Sequence, residues 1–254
     1  MGKNVNIALV LAALSVMVLV GFYGIENTDG NSYSTAMLGV SRTIVIDTEI
    51  PEAPPTLPYY RVLGEEYVNE RFGSTSLPRE HLPSENDAIE FAKEYLSLHG
   101  GMPDGAVLSF TDVETIQKCR EGSGEVIYEK PVLVRVVYGR SINGMPVDGP
   151  GDTIDFSIGD NGEILDLLMS WRILEEVGEI AIVGSDVAIA RLRKGETVRK
   201  LMGPFGKFSV QSINLGYYSN TPGTEQEFYK PIWIFRGIDE DGWGMHMAVR
   251  ATDP

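Results

Sequence analysis

Apolar side chains recur at helical spacing twice along this chain, and each time strand-like alternation follows. Ala88, Phe91, Ala92, Tyr95 and Leu96 stand at i, i+3, i+4, i+7 and i+8. That spacing predicts one apolar stripe on a helix. Ser84 precedes it as an N-cap, with Asp87 three residues on as a short capping-box acid. Gly100-Gly101 closes it. The opening Ser84-Glu85-Asn86-Asp87-Ala88-Ile89 has a shorter echo in Ser185-Asp186-Val187-Ala188-Ile189. The echo is imperfect, because Ala188 stands where the first copy has Asp87. The second helix is short and ends near Lys194-Gly195.

Strand signals fill the intervals. Tyr59–Leu63, 106–118 and 131–138 are candidates, and Thr43–Ile46 is a short one. In 153–158, Ile154, Phe156 and Ile158 alternate with Thr153, Asp155 and Ser157, the pattern of a half-buried strand. Asp160-Asn161-Gly162 turns the chain into a returning strand that runs to Trp171. After the second helix, strands are expected at 207–218, 228–236 and 243–250, the last two joined by the turn Asp239–Gly242. A helix followed by strands, twice over, reads as one unit used twice. The expected fold class is α+β: two tandem units, each a helix packed on an antiparallel sheet, after an N-terminal transmembrane helix. A parallel α/β fold would need helices between successive strands, and those are missing.

From Ile7 to Ile25 no residue carries a charge. That length suffices to cross a hydrocarbon core of about 30 Å as a helix. The run ends in Phe22-Tyr23-Gly24-Ile25, a poor site for signal cleavage. An uncleaved anchor is therefore expected, with secretion after cleavage as the alternative. Lys3 before the span and Glu26 and Asp29 after it place the remainder outside the cytoplasm. The implied organisation is an anchor or signal at 1–25 and a polar, Pro-rich spacer at 26–57. A first unit at 58–180 and a second at 181–254 follow.

Composition narrows the partners. The chain has 254 residues, 43% of them hydrophobic, enough for one large core or two small ones. Its net charge is −15, which repels nucleic acid and anionic membrane surfaces. The single cysteine, Cys119, forms no disulfide within the chain and reads as an inert half-buried residue. Against the acidic background Arg191, Arg193, Lys194, Arg199 and Lys200 cluster at the end of the second helix. Cations there complement the helix dipole. They read either as a solvated face or as a docking patch for an acidic partner or lipid headgroups.

Catalytic sets are not found. His81, His99 and His246 lack the spacing of a zinc-peptidase helix, and no cysteine pair compensates. Glu121-Gly122-Ser123-Gly124-Glu125 lacks the spacing of a nucleophile elbow. Gly203-Pro204-Phe205-Gly206-Lys207 puts Pro where a phosphate cradle needs an N–H. Glu65-Glu66, Glu175-Glu176 and Asp239–Asp241 are acid pairs on exposed turns, and the last has too few spaced oxygens for an EF-hand. No catalytic residue, cofactor or metal is expected. A carboxylate-dependent enzyme stands as an alternative.

Two stretches resemble known modules. Tyr138-Gly139-Arg140-Ser141-Ile142-Asn143-Gly144-Met145-Pro146-Val147-Asp148-Gly149, the strand Ile154–Ile158 and then Asp160-Asn161-Gly162-Glu163-Ile164 resemble the propeptide of thermolysin-like metallopeptidases. Ser185, Gly195, Leu215-Gly216-Tyr217-Tyr218 and Pro231-Ile232-Trp233-Ile234-Phe235 resemble the PepSY module. An anchor followed by two such units is similar to the layout of YycH/YycI-type extracytoplasmic regulators. The resemblance covers roughly residues 84–251. It implies a non-catalytic module that regulates a peptidase or a sensor kinase domain through protein contacts. It also implies the alternative of a propeptide-like inhibitor or chaperone acting in trans on a secreted metallopeptidase.

Overall fold

The computed structural model describes residues 43–198 and 206–253. The expected membrane span at 7–25 lies outside them, as do Arg199 and Lys200. Among the described residues no helix is long and apolar enough to cross a membrane. Two compact units are present. One holds residues 67–139 and 153–169, and the other holds 43–66, 140–152 and 170–253.

The first unit is a sheet with one helix. Its strands are the end of β2 (Thr56–Arg71), β3 (Ala106–Cys119), most of β4 (Val126–Ile142), β6 (Thr153–Ile158) and the start of β7 (Ile164–Ala181). They pair in the order β3-β4-β6-β7-β2. Helix α1 (Glu85–Leu98) lies on this sheet and buries Ala88, Ala92 and Leu96. Tyr95 meets Phe156 edge-on at 5.7 Å. Ser84 caps α1: its Oγ accepts from the Asp87 N–H at 3.2 Å and donates to the Asp87 carboxylate at 2.7 Å. The turn after β6 brings Gly162 to φ 86°, where a Cβ would lie 2.6 Å from the Phe91 ring. Glycine is needed there on both counts.

On β4, Arg135 binds the Asp155 carboxylate of β6, with Nε donating to Oδ1 at 2.9 Å. Glu114 of β3 stands 3.9 Å from the same guanidinium. Burial, ahead of the opposing pull of Arg135, raises the Glu114 carboxyl above its usual range, and Asp155 and Asp112 add to the rise.

The second unit is built around β8 (Lys207–Tyr218). On one side β8 pairs antiparallel with β10 (Pro231–Asp239), which pairs antiparallel with β11 (Gly244–Arg250). On the other side it takes two parallel partners, β1 (Thr43–Ile46) and β5 (Met145–Asp148). Here β2 pairs with β7 and with the short β9 (Phe228–Tyr229). A bulge at Arg236/Gly237 presses Gly237 so close to β8 that a Cβ would clash with the Ser209 carbonyl. Helix α2 (Ser185–Arg193) packs Ala188, Ile189 and Leu192 on Phe208, Val210, Trp233, Phe235, Met247 and Val249. Ile44, Ile46 and Ala53 join the same core, although they fall in the stretch read as spacer.

These observations correct the expected fold class. Strands take 53% and helices 13% of the described residues, and the pairing is mixed rather than antiparallel. The protein is mostly β, not two helix-on-sheet units. The physical reason lies in strand length and partner choice. Strands β2, β4 and β7 are far longer than the alternation within any one stretch signals, and the chain passes from one unit to the other within each of them. Periodicity reports which face of a strand is buried, not which strand it pairs with. The two helix openings also differ. The N-cap of α2 is Gly184 with no side-chain bond, while Ser185 Oγ donates to the Pro51 carbonyl at 2.7 Å.

Candidate docking surface and the buried polar core of the second unit

The end of α2 is shaped by Gly195, at φ 76°, whose N–H donates to the Leu192 carbonyl while the Glu196 N–H donates to that of Arg191. This is a glycine-terminated helix end that uses otherwise orphaned carbonyls. Arg191 is not a free cation. Its Nη1 donates to the Arg250 and Thr252 carbonyls at 3.0 and 2.8 Å, and its Nη2 to Asp253 at 2.9 Å. It ties α2 to the chain after β11. Arg193 and Lys194, by contrast, are exposed, and their side chains make no hydrogen bond or ion pair within the described residues. Arg250, which the sequence reading did not single out, is exposed in the same way. Arg250 and Arg191 line a shallow cleft of about 280 Å³ with Glu196, Thr197, Val198 and Thr252. The structure thus brings three of the five predicted cations to one helix end. It assigns Arg191 to structure and adds Arg250 from a distant strand.

A second polar group was not anticipated. Arg172 of β7 is 1% exposed. Its Nη1 donates to Ser219 Oγ at 2.9 Å, to Gln226 Oε1 at 2.6 Å and to the Tyr229 hydroxyl at 3.4 Å. Its Nη2 donates to the Thr221 and Thr224 carbonyls at 3.3 and 3.0 Å. The guanidinium therefore fastens the 219–227 loop from inside. Asp152, also buried and at φ 52°, accepts from the Arg172 backbone N–H and from the Tyr229 hydroxyl. Arg140 donates to the Arg172 carbonyl at 2.6 Å, and its guanidinium lies 5.0 Å from the Trp171 ring centre. Burial first, and then the Asp152 carboxylate, push the Tyr229 hydroxyl well above its ordinary range. The hydrogen bonds from Arg172 Nη1 and Nη2 all end on protein oxygens, which makes this network a fastening.

The turn Asn143-Gly144 has positive φ at both residues, 52° and 80°. Asn143 donates to the Tyr60 hydroxyl at 3.1 Å, so the turn is tied into the core of its own unit. The three histidines lie apart in chemistry. His99 bonds the Tyr95 carbonyl, the His81 backbone bonds Asp160, and His246 stands 3.8 Å from Asp148. Among the described residues no group of three metal-ligating side chains converges. The turn acid Asp239 spends its Oδ1 on the backbone N–H groups of Asp241 and Trp243.

No family model matches this chain, and no curated protein matches it. Among solved structures it is similar to an uncharacterized protein from Eubacterium rectale, at a TM-score of 0.35 and 14% identity. That match covers 72% of this chain and 61% of the other.

Proposed function

We propose that this chain is a non-catalytic protein-interaction module, held outside the cytoplasm by its apolar N-terminal segment, that docks an acidic segment of a partner protein. The observation that carries the reading is the set of cations at the end of α2. Within the described residues the Arg193, Lys194 and Arg250 side chains have no acidic partner, in a chain of net charge −15. An unpaired cation cluster beside an open cleft is complementary to carboxylates and steers their approach. The partner class remains the one the module resemblance implies, a peptidase or a sensor domain.

The test uses the full chain in detergent and a labelled octaglutamate peptide as probe. Binding should weaken steeply between low and physiological salt. The triple variant Arg193→Glu, Lys194→Glu, Arg250→Glu should weaken it at least about tenfold, on the order expected for reversed charges at a contact. Equal binding by wild type and triple variant sinks the docking reading. The anchor is tested separately by alkaline carbonate extraction of membranes, which should leave the chain in the pellet.

A further inference from the structure

Strand β3 ends the ladder of the first unit: its only partner among the described residues is β4. From Val107 to Cys119 its outward backbone N–H and C=O groups meet no protein partner among the described residues. The edge of β11 is treated differently. The Val198 N–H donates to the Ala248 carbonyl and Arg191 caps that of Arg250. A long open edge is a template for another strand unless charge, proline or a bulge blunts it. β3 has no proline, and Val107, Leu108 and Val113 are exposed along it.

Two of its charges lack a contact ion pair within the described residues. The half-buried Asp112 carboxylate feels the Arg135 guanidinium from a distance, but its side chain makes no hydrogen bond and no close ion pair within the described residues. The Lys118 ammonium stands 5.3 Å from the centre of the Tyr128 ring and has no carboxylate partner. The other two charges nearby are engaged. Glu114 faces Arg135, and Arg120, beyond the strand, pairs with Glu125.

We propose that β3 pairs with β3 of a second copy of this chain, antiparallel about a two-fold axis at Thr115. In that register Asp112 of each copy faces Lys118 of the other, so symmetry forms this ion pair twice per dimer. Val113 faces Gln117, Glu114 faces Ile116 and Thr111 faces Cys119. Charge selects this register over its neighbours. An axis at Val113 sets Asp112 against Glu114, and axes at Asp112 or Glu114 set like carboxylates face to face. An axis at Ile116 pairs Glu114 with Lys118 and Asp112 with Arg120, but both Glu114 and Arg120 already have partners.

The experiment is sedimentation of the full chain in detergent, together with site-specific disulfide trapping in a Cys119→Ser background. The wild type should sediment as a dimer. Asp112→Lys and Lys118→Asp should each weaken dimerisation about tenfold, given two like-charge pairs per dimer. The double variant should restore it. Thr115→Cys should form a disulfide-linked dimer under mild oxidation, because the two residues face each other. Val113→Cys should not, being four residues from its own mate's position. A monomer overturns the proposal. So does a dimer indifferent to both charge reversals, since another surface then holds it. Trapping of Ile116→Cys in preference to Thr115→Cys overturns the register.

Discussion

Two arginines, one in each unit, use the same guanidinium in opposite ways. Arg172, in the second unit, is fully buried and binds mostly neutral oxygens: a serine, a glutamine, a tyrosine and two loop carbonyls. Arg135, in the first unit, is half-buried and binds carboxylates across the strands, Asp155 closely and Glu114 at a distance. The first converts a charge into a rigid loop, because five donors in a fixed plane can satisfy several backbone and side-chain acceptors at once. The second offsets part of an acidic cluster and leaves one of its acids ill-served. The difference teaches that burial sets the stakes. A fully buried cation is costly to unpair, whereas a half-buried one is partly compensated by water.

The largest break in this comparison is Arg172→Met. It strands several buried acceptors of the 219–227 loop at once, each worth about 1–3 kcal/mol, so a loss of about 3–5 kcal/mol is expected. Urea unfolding followed by tryptophan fluorescence measures it, and protease sensitivity of 219–227 should rise in parallel. Tyr229→Phe removes one donor to the buried Asp152 carboxylate while keeping the ring, and about 1–3 kcal/mol should be lost by the same measurement. Arg135→Gln frees Asp155 and Glu114 near solvent. The expected cost is smaller, about 1 kcal/mol, and salt should reduce it.

Glu114→Gln gives the smallest effect and the sharpest sign. Its carboxyl is raised in the fold, so the folded state holds the proton more tightly than the unfolded chain does. Stability from this group is therefore fully present below the unfolded value and falls as pH rises through the raised folded one. The variant should match wild type near pH 4 and equal or exceed its stability at pH 7. A variant less stable at pH 7 than at pH 4, relative to wild type, would mean that the Arg135 attraction outweighs burial.

Local structure was legible from particular residues. Ser84, Asp87 and the stripe from Ala88 to Leu96 mark α1, and the alternation Ile154-Phe156-Ile158 marks β6. The bounds of β8 follow from its own sequence, as does the tight turn at Asp239–Gly242. These are short-range effects: capping, 3.6- and 2-residue periodicity, and glycine's access to positive φ. The fold class was not legible. Nothing in Thr43–Ile46 or Met145–Asp148 announces a parallel partner in β8, and nothing in the 171–181 stretch announces that β7 continues to Ala181. The echo of the α1 opening at Ser185 misled for a local reason, since that hydroxyl bonds Pro51 and caps no helix.

The candidate site divides in the same way. The cluster at the end of α2 was visible as a run of cations. Its division into a structural Arg191 and free Arg193 and Lys194 depended on where the chain after β11 returns. Arg250 and the Arg172 fastening carry no signal along the chain, because their partners stand dozens of residues away. Sequence alone settled the positions of both helices, most of the strands and the tight turns, since each depends on contacts within a few residues. Strand partners, the mixed sheet, the open edge of β3 and the assignment of each arginine were settled only by tertiary structure. Those depend on which distant backbones and charges meet, and a one-dimensional pattern does not encode the meeting.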